Sequence, residues 1–133
     1  MMVLVDTSVW VDHLRDNVVQ LAALLHQDSV LMHPAILGEL ACGSLKDRPR
    51  RIADWKALPC VKELSHGDAL ELIEARRLMS RGIGLIDVHL LCSVLRSPGV
   101  QFWTRDKRLQ KIAEELSIAF SENASRLVSE PAQ

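Results

Sequence analysis

Four acidic residues stand where their neighbours are apolar. Asp6 closes the run Met1-Met2-Val3-Leu4-Val5, and Glu39 interrupts Ala35-Ile36-Leu37-Gly38-Glu39-Leu40-Ala41-Cys42. Asp87 opens the stretch Asp87-Val88-His89-Leu90-Leu91-Cys92-Ser93-Val94-Leu95, and Asp106 follows Val100-Gln101-Phe102-Trp103-Thr104. A carboxylate in apolar surroundings is costly unless it is paired, protonated or bound to a metal. On a helix a partner stands three or four residues away. For Glu39 those positions hold Ala35, Ile36, Cys42 and Gly43, and downstream of Asp87 they hold Leu90 and Leu91. None is basic, so the four acids point to one shared cation site. Carboxylates gathered in a small volume repel unless cations lie between them. An oxygen-dominated donor set selects Mg²⁺ or Mn²⁺, ions that activate water and offset the charge of phosphodiester hydrolysis. Thr7, Ser8 and Thr104 flank Asp6 and Asp106, and their hydroxyls are placed to orient the carboxylates.

The elements that must position these acids alternate between strand and helix patterns. Met2–Asp6 is a short unbroken apolar run, as in a strand buried on both faces. Thr7 and Ser8 suit the cap of a helix from about Val9 to Arg15, and a second helix starts at Asn17. Ser29–Met32 reads as a second strand, and Pro34 suits the first turn of a helix ending at Gly43. Asp47 and Pro49 open another helix with Ile52, Trp55 and Leu58. Ser65-His66-Gly67-Asp68 resembles a capping box for a helix through Ser80. Gly82 and Gly84 break the chain before the Asp87 helix. Val100–Thr104 reads as a third strand, Lys107–Leu116 as a helix and Ile118–Phe120 as a short last strand.

This alternation predicts an α/β fold with a parallel sheet of four to five strands between layers of helices. Such sheets place ligands beyond the carboxyl ends of their strands. Asp6 and Asp106 both lie there, Asp87 is at a helix start, and Glu39 is one turn inside the helix after the second strand. One sheet edge therefore gathers all four.

With 133 residues, the chain is expected to form a single domain over 1–133, with a loose polar tail from about residue 121. It is 48% hydrophobic and 25% charged with a net charge of −1, so no global field favours nucleic acid or a membrane. Basic residues cluster locally at Lys46, Arg48, Arg50 and Arg51, at Arg76, Arg77 and Arg81, and at Arg105, Lys107, Arg108 and Lys111. Singly, such clusters are solvated surface. If one rims the acidic cleft, Arg48, Arg50 and Arg51, just after the Glu39 helix, are the candidates for phosphate contacts. Cys42, Cys60 and Cys92 lie among apolar residues without C-x-x-C spacing, which predicts buried free thiols in a reducing compartment. The absence of an 18-residue apolar stretch excludes a transmembrane helix and makes the cytoplasm the expected location.

Val5-Asp6-Thr7-Ser8-Val9-Trp10, Gly38-Glu39-Leu40, Gly84-Leu85-Ile86-Asp87 and Trp103-Thr104-Arg105-Asp106 resemble the four acidic motifs of PIN-domain nucleases. The order of the motifs and the chain length resemble the VapC-type toxins of toxin–antitoxin pairs, over roughly Met1 to Phe120. The resemblance implies a PIN-like fold in which Asp6, Glu39, Asp87 and Asp106 bind Mg²⁺ or Mn²⁺ for RNA cleavage that leaves a 5′-phosphate and a 3′-hydroxyl. It also implies a cognate antitoxin that wraps the enzyme, and a homodimer. His89 departs from the pattern, in a position often aliphatic.

Each acid alone has an ordinary reading: a strand-end turn for Asp6, a solvated side chain for Glu39, a helix cap for Asp87, a cap or ion pair for Asp106. A shared site requires all four at one edge. A phosphotransfer receiver domain would carry paired acids after its first strand, where Asp6 is followed by Thr7-Ser8. A haloacid-dehalogenase-like phosphatase would carry an acid at position 8, where Ser8 stands. A PIN fold that grips RNA or protein without cutting is the remaining alternative.

Overall fold

β1 spans Met2–Val5. Val3, Leu4 and Val5 are fully buried, as an apolar run in the middle of a parallel sheet must be. The computed structural model describes residues 1–122, so most of the polar tail expected from about residue 121 lies outside the described residues. β2 (Val30–Leu31) and β3 (Val100–Trp103) flank β1, both parallel to it, in the order β2-β1-β3. Val3 is in register with Val30 and Gln101, and Val5 with Trp103.

The helices are α1 (Thr7–Asp16), α2 (Val19–His26), α3 (Pro34–Ala41), α4 (Arg48–Lys56), α5 (His66–Arg76), α6 (Leu85–Leu95) and α7 (Lys107–Glu115). The chain leaves β1 for β2 on one side and then crosses to β3 on the other. α1 packs against α3, Trp10 of α1 meets Trp55 of α4 with ring centroids 6.0 Å apart, and α5 packs against α6. The same reversal makes the β1/β3 boundary a topological switch point, where the strand ends leave a crevice.

The sheet has three strands among the described residues, not the four or five expected. Isolated parallel bridges stand at the other two places, Met32 with Cys60 and Phe102 with Ala119. The expected last strand, Ile118–Phe120, is the second of these. Phe102 N–H donates to Ile118 O and Phe120 N–H to Phe102 O, both at 2.8 Å, and the pairing goes no further. Each edge segment meets its neighbour at one residue, which is too short for a ladder.

Helix ends follow local chemistry. Pro34 occupies the first turn of α3, where its missing N–H costs nothing. Ser65 and Asp68 form the expected capping box of α5, but the helix stops at Arg76, because Arg77 adopts a left-handed conformation (φ 53°). α1 starts at Thr7, with Asp6 in the capping position, so Thr7 and Ser8 lie inside the first turn. Cys92 is buried as expected, whereas Cys42 and Cys60 are exposed. Among the described residues no helix is long and apolar enough to cross a membrane.

Candidate active site

Asp6 is the acid most firmly built in. It follows β1 directly and is only 6% exposed. Its N–H donates to Trp103 O at 2.8 Å, which continues the β1–β3 pairing past the last strand residue. Thr104 Oγ1 donates to Asp6 Oδ2 at 2.7 Å and Ser8 Oγ donates to the same oxygen at 2.9 Å. Each hydroxyl has one hydrogen, and both hydrogens go to Asp6. The 3.3 Å approach of the two hydroxyl oxygens is therefore a contact and not a third bond. As acceptors, Ser8 Oγ takes the Arg105 N–H at 3.0 Å and Thr104 Oγ1 takes the Asp106 N–H at 3.1 Å. The three hydroxyls expected to orient carboxylates all do so, for Thr7 Oγ1 donates to Glu39 Oε1 at 2.7 Å.

Asp106 caps α7. Its Oδ1 accepts from Arg108 N and Leu109 N at 3.0 and 3.1 Å. Asp87 is the third residue of α6, where its Oδ2 accepts from Gly84 N at 3.1 Å. The ordinary capping role is thus real for both. The second oxygens of Asp6, Glu39, Asp87 and Asp106 carry no hydrogen bond to the described residues.

Burial divides the set. Asp6 is buried and Asp87 half-buried, while Glu39 and Asp106 are exposed. The apolar sequence around Glu39 misleads, because α3 turns Ile36 and Leu40 inward and leaves Glu39 on its outer face. Burial raises the Asp87 carboxyl above its ordinary range, the Gly84 bond opposes this, and the charges of Asp6, Asp106 and Glu39 push it further up. Asp87 therefore lies within electrostatic reach of the other three acids. As the side chains stand, no three His, Cys, Asp or Glu groups among the described residues close around one point at ligand distance. The unbonded oxygens and the oxygen-only donors are of the kind a hard divalent cation takes, and Asp6, Glu39, Asp87 and Asp106 are the residues that would hold it.

The proposed phosphate-binding arginines follow α3. Arg48 donates to Ala41 O at 2.7 Å and Gly43 O at 3.2 Å, so its guanidinium satisfies the carboxyl end of the helix that carries Glu39. Arg51 lies near His13, whose pKa it helps to lower after burial, the larger cause. Arg50 is exposed. Arg105 bonds Asp12 at 3.0 Å and Glu122 at 2.9 Å, pairings that sequence spacing does not reveal.

Two histidines accept backbone hydrogen bonds. His33 Nδ1 accepts from Ala35 N at 3.0 Å at the start of α3, and His13 Nδ1 accepts from Val18 N at 2.9 Å. Nδ1 of His33 is an acceptor, so its proton is on Nε2, which is buried with no partner among the described residues. His89 pairs with His66 across α5 and α6, its Nε2 lying 2.7 Å from Nδ1 of His66.

This frame matches known proteins. The PIN domain family matches residues 3–115. The chain belongs to that family, on its VapC-type branch. It is 42% identical over 127 residues to "Ribonuclease VapC32" of Mycobacterium tuberculosis, from both strain CDC 1551 / Oshkosh and strain ATCC 25618 / H37Rv. The match takes in 93% of this chain and the whole of each relative.

Proposed function

We propose that the protein is a Mg²⁺- or Mn²⁺-dependent endoribonuclease toxin, held in check by a cognate antitoxin. The observation that carries this reading is the set of four carboxylates, each with one oxygen fixed by a protein donor and the other open, in a chain of the VapC type. Asp6, Glu39, Asp87 and Asp106 would hold the metal. When bound, a divalent cation supplies water activation and neutralises charge at the scissile phosphate. Ser8 and Thr104 fix the rotamer of Asp6, and Thr7 restrains Glu39. Arg50 and Arg51 would meet the RNA backbone at the rim.

The antitoxin has a groove of about 330 Å³ beside the site, lined by Val11, Leu14, Leu40 and Leu45, with Arg15 and Glu39 also on its walls. Trp10, Val18 and Leu21 on the neighbouring helical segments are buried in the core and take no part in this groove. A homodimer would bury exposed Leu85 and Ile86. Cytoplasmic action on RNA completes the proposal.

Incubating the purified protein with RNA in Mg²⁺, in Mn²⁺ and in EDTA tests it. Cleavage is expected with metal, absent in EDTA and absent in Asp6→Asn. Undiminished cleavage in EDTA overturns the mechanism. RNA binding without cleavage under every metal condition favours a non-catalytic module instead.

A further inference from the structure

The segment that leads into Asp87 is pinned to the helix that follows Asp106. Arg81 makes a two-pronged bond to Glu115 on α7, at 3.0 and 2.8 Å. One residue on, Gly82 has φ +81°, a left-handed conformation that favours glycine. A methyl group there would lie 2.5 Å from Nη1 and 2.7 Å from Cδ of Arg108. The stem and guanidinium of Arg108 therefore rest on the glycine backbone.

Both ends of this contact lead to the acids. Arg108 N–H donates to Asp106 Oδ1 at 3.0 Å, and Gly84, two residues past Gly82, donates to Asp87 Oδ2 at 3.1 Å. The other arginines of these segments are neutralised, Arg81 by Glu115 and Arg105 by Asp12 and Glu122. Arg108 is exposed and pairs with no carboxylate among the described residues. It is a cation held by packing alone, beside a cleft whose own charge repels a polyanion.

Resting on the ribonuclease reading above, we infer that Arg108, seated on Gly82, is a phosphate-binding residue that draws the RNA backbone to the acidic cleft. The planar guanidinium presents paired donors to a phosphate. A side chain already seated loses less freedom when the strand arrives. Positive charge at this point also offsets the repulsion between phosphates and the four carboxylates.

The test is the anisotropy of a fluorescein-labelled single-stranded RNA with the full chain in EDTA, across a series of salt concentrations. Arg108→Ala is expected to weaken binding roughly tenfold and to lower the salt slope by about 0.7. Arg108→Lys is expected to restore the slope but only part of the affinity, because it keeps the charge and loses the fork. Arg76→Ala, which removes an equal charge from the exposed end of α5, is the control. If Arg108→Ala binds like Arg76→Ala while the wild type binds and cleaves RNA, the role of Arg108 is refuted and the ribonuclease reading stands. If the wild type neither binds nor cleaves RNA, both fall.

Discussion

The strand-end half of the acidic cleft and its helical half are built differently. At the strand ends, Asp6 receives two hydroxyl donors, and those hydroxyls are themselves held by the backbone N–H groups of Arg105 and Asp106. The network is closed and shielded, with Asp6 and Thr104 both buried. On the helical side, Glu39 is exposed and rests on one bond from Thr7, and Asp87 rests on one backbone N–H of its own helix. One half is a fixed reference and the other can adjust. The site proposed above, which would accept a cation and then RNA, gains from that division, because carboxylates all locked in place would have to meet the ion's geometry without error.

The largest expected effect is at the fixed half. Asp6→Asn is expected to lower RNA cleavage by on the order of a thousandfold or more while circular dichroism stays unchanged. Retention of substantial metal-dependent cleavage would remove Asp6 from the site. Next come the hydroxyls, which set the two halves directly against each other. Thr104→Ala is expected to cost about 10- to 100-fold in activity or metal affinity. Thr7→Ala is expected to cost less, about tenfold at most, because Glu39 is free to find the ion without it. Equal losses in the two variants would erase the distinction between the halves.

Asp87 gives a smaller effect, read in stability. Its folded pKa is raised, chiefly by burial, so the ionised form is disfavoured in the metal-free protein. Stability at this residue is greatest when it is protonated and declines as pH rises through the raised pKa. At neutral pH, Asp87→Asn removes that penalty and still offers an oxygen to Gly84. The metal-free variant is expected to melt about 3 °C above the wild type. Millimolar Mn²⁺ is expected to raise the wild-type melting temperature more than that of the variant, since a ligand of the folded state alone shifts unfolding. A variant that melts lower without metal, together with a wild type indifferent to Mn²⁺, would make Asp87 a cap only.

The smallest effect lies outside the cleft. Burial, first among the causes, lowers the His33 pKa from its ordinary 6.5, and His13 shifts the same way. Below that value the unfolded chain takes up protons that the folded chain resists, so stability is full above about pH 6.5 and falls as pH drops. Asn can also accept at a helix start. Melts at about pH 7 and about pH 5.5 are therefore expected to show a smaller loss for His33→Asn than for the wild type. An equal loss would assign the acid sensitivity to other groups.

The parts of this architecture carried by contiguous residues were legible in the sequence. β1, β3 and most of the helices follow from apolar runs, proline and capping residues. The acids were legible as misfits, yet for two of them the reason was different from the one the sequence suggests. Glu39 and Asp106 are exposed, so they incur no desolvation cost, and their apolar neighbours simply point the other way. Contacts between distant segments left no local trace. Thr104 was legible as a hydroxyl beside Asp106 but not as the donor to Asp6, and nothing near Arg105 announces Asp12 or Glu122. Sheet width was overestimated because Ile118–Phe120 has strand composition, while ladder formation depends on how far a neighbour runs alongside it.

The Thr104–Asp6 bond joins residues 98 positions apart. On the ribosome, making the intervening stretch takes about 5–20 s at typical elongation rates. Until Thr104 leaves the exit tunnel, the carboxylate of Asp6 has neither its second hydroxyl nor the flanking strand that buries it. On the ribonuclease proposal, a nascent chain is therefore expected to lack cleavage activity until β3 and Thr104 have folded against β1.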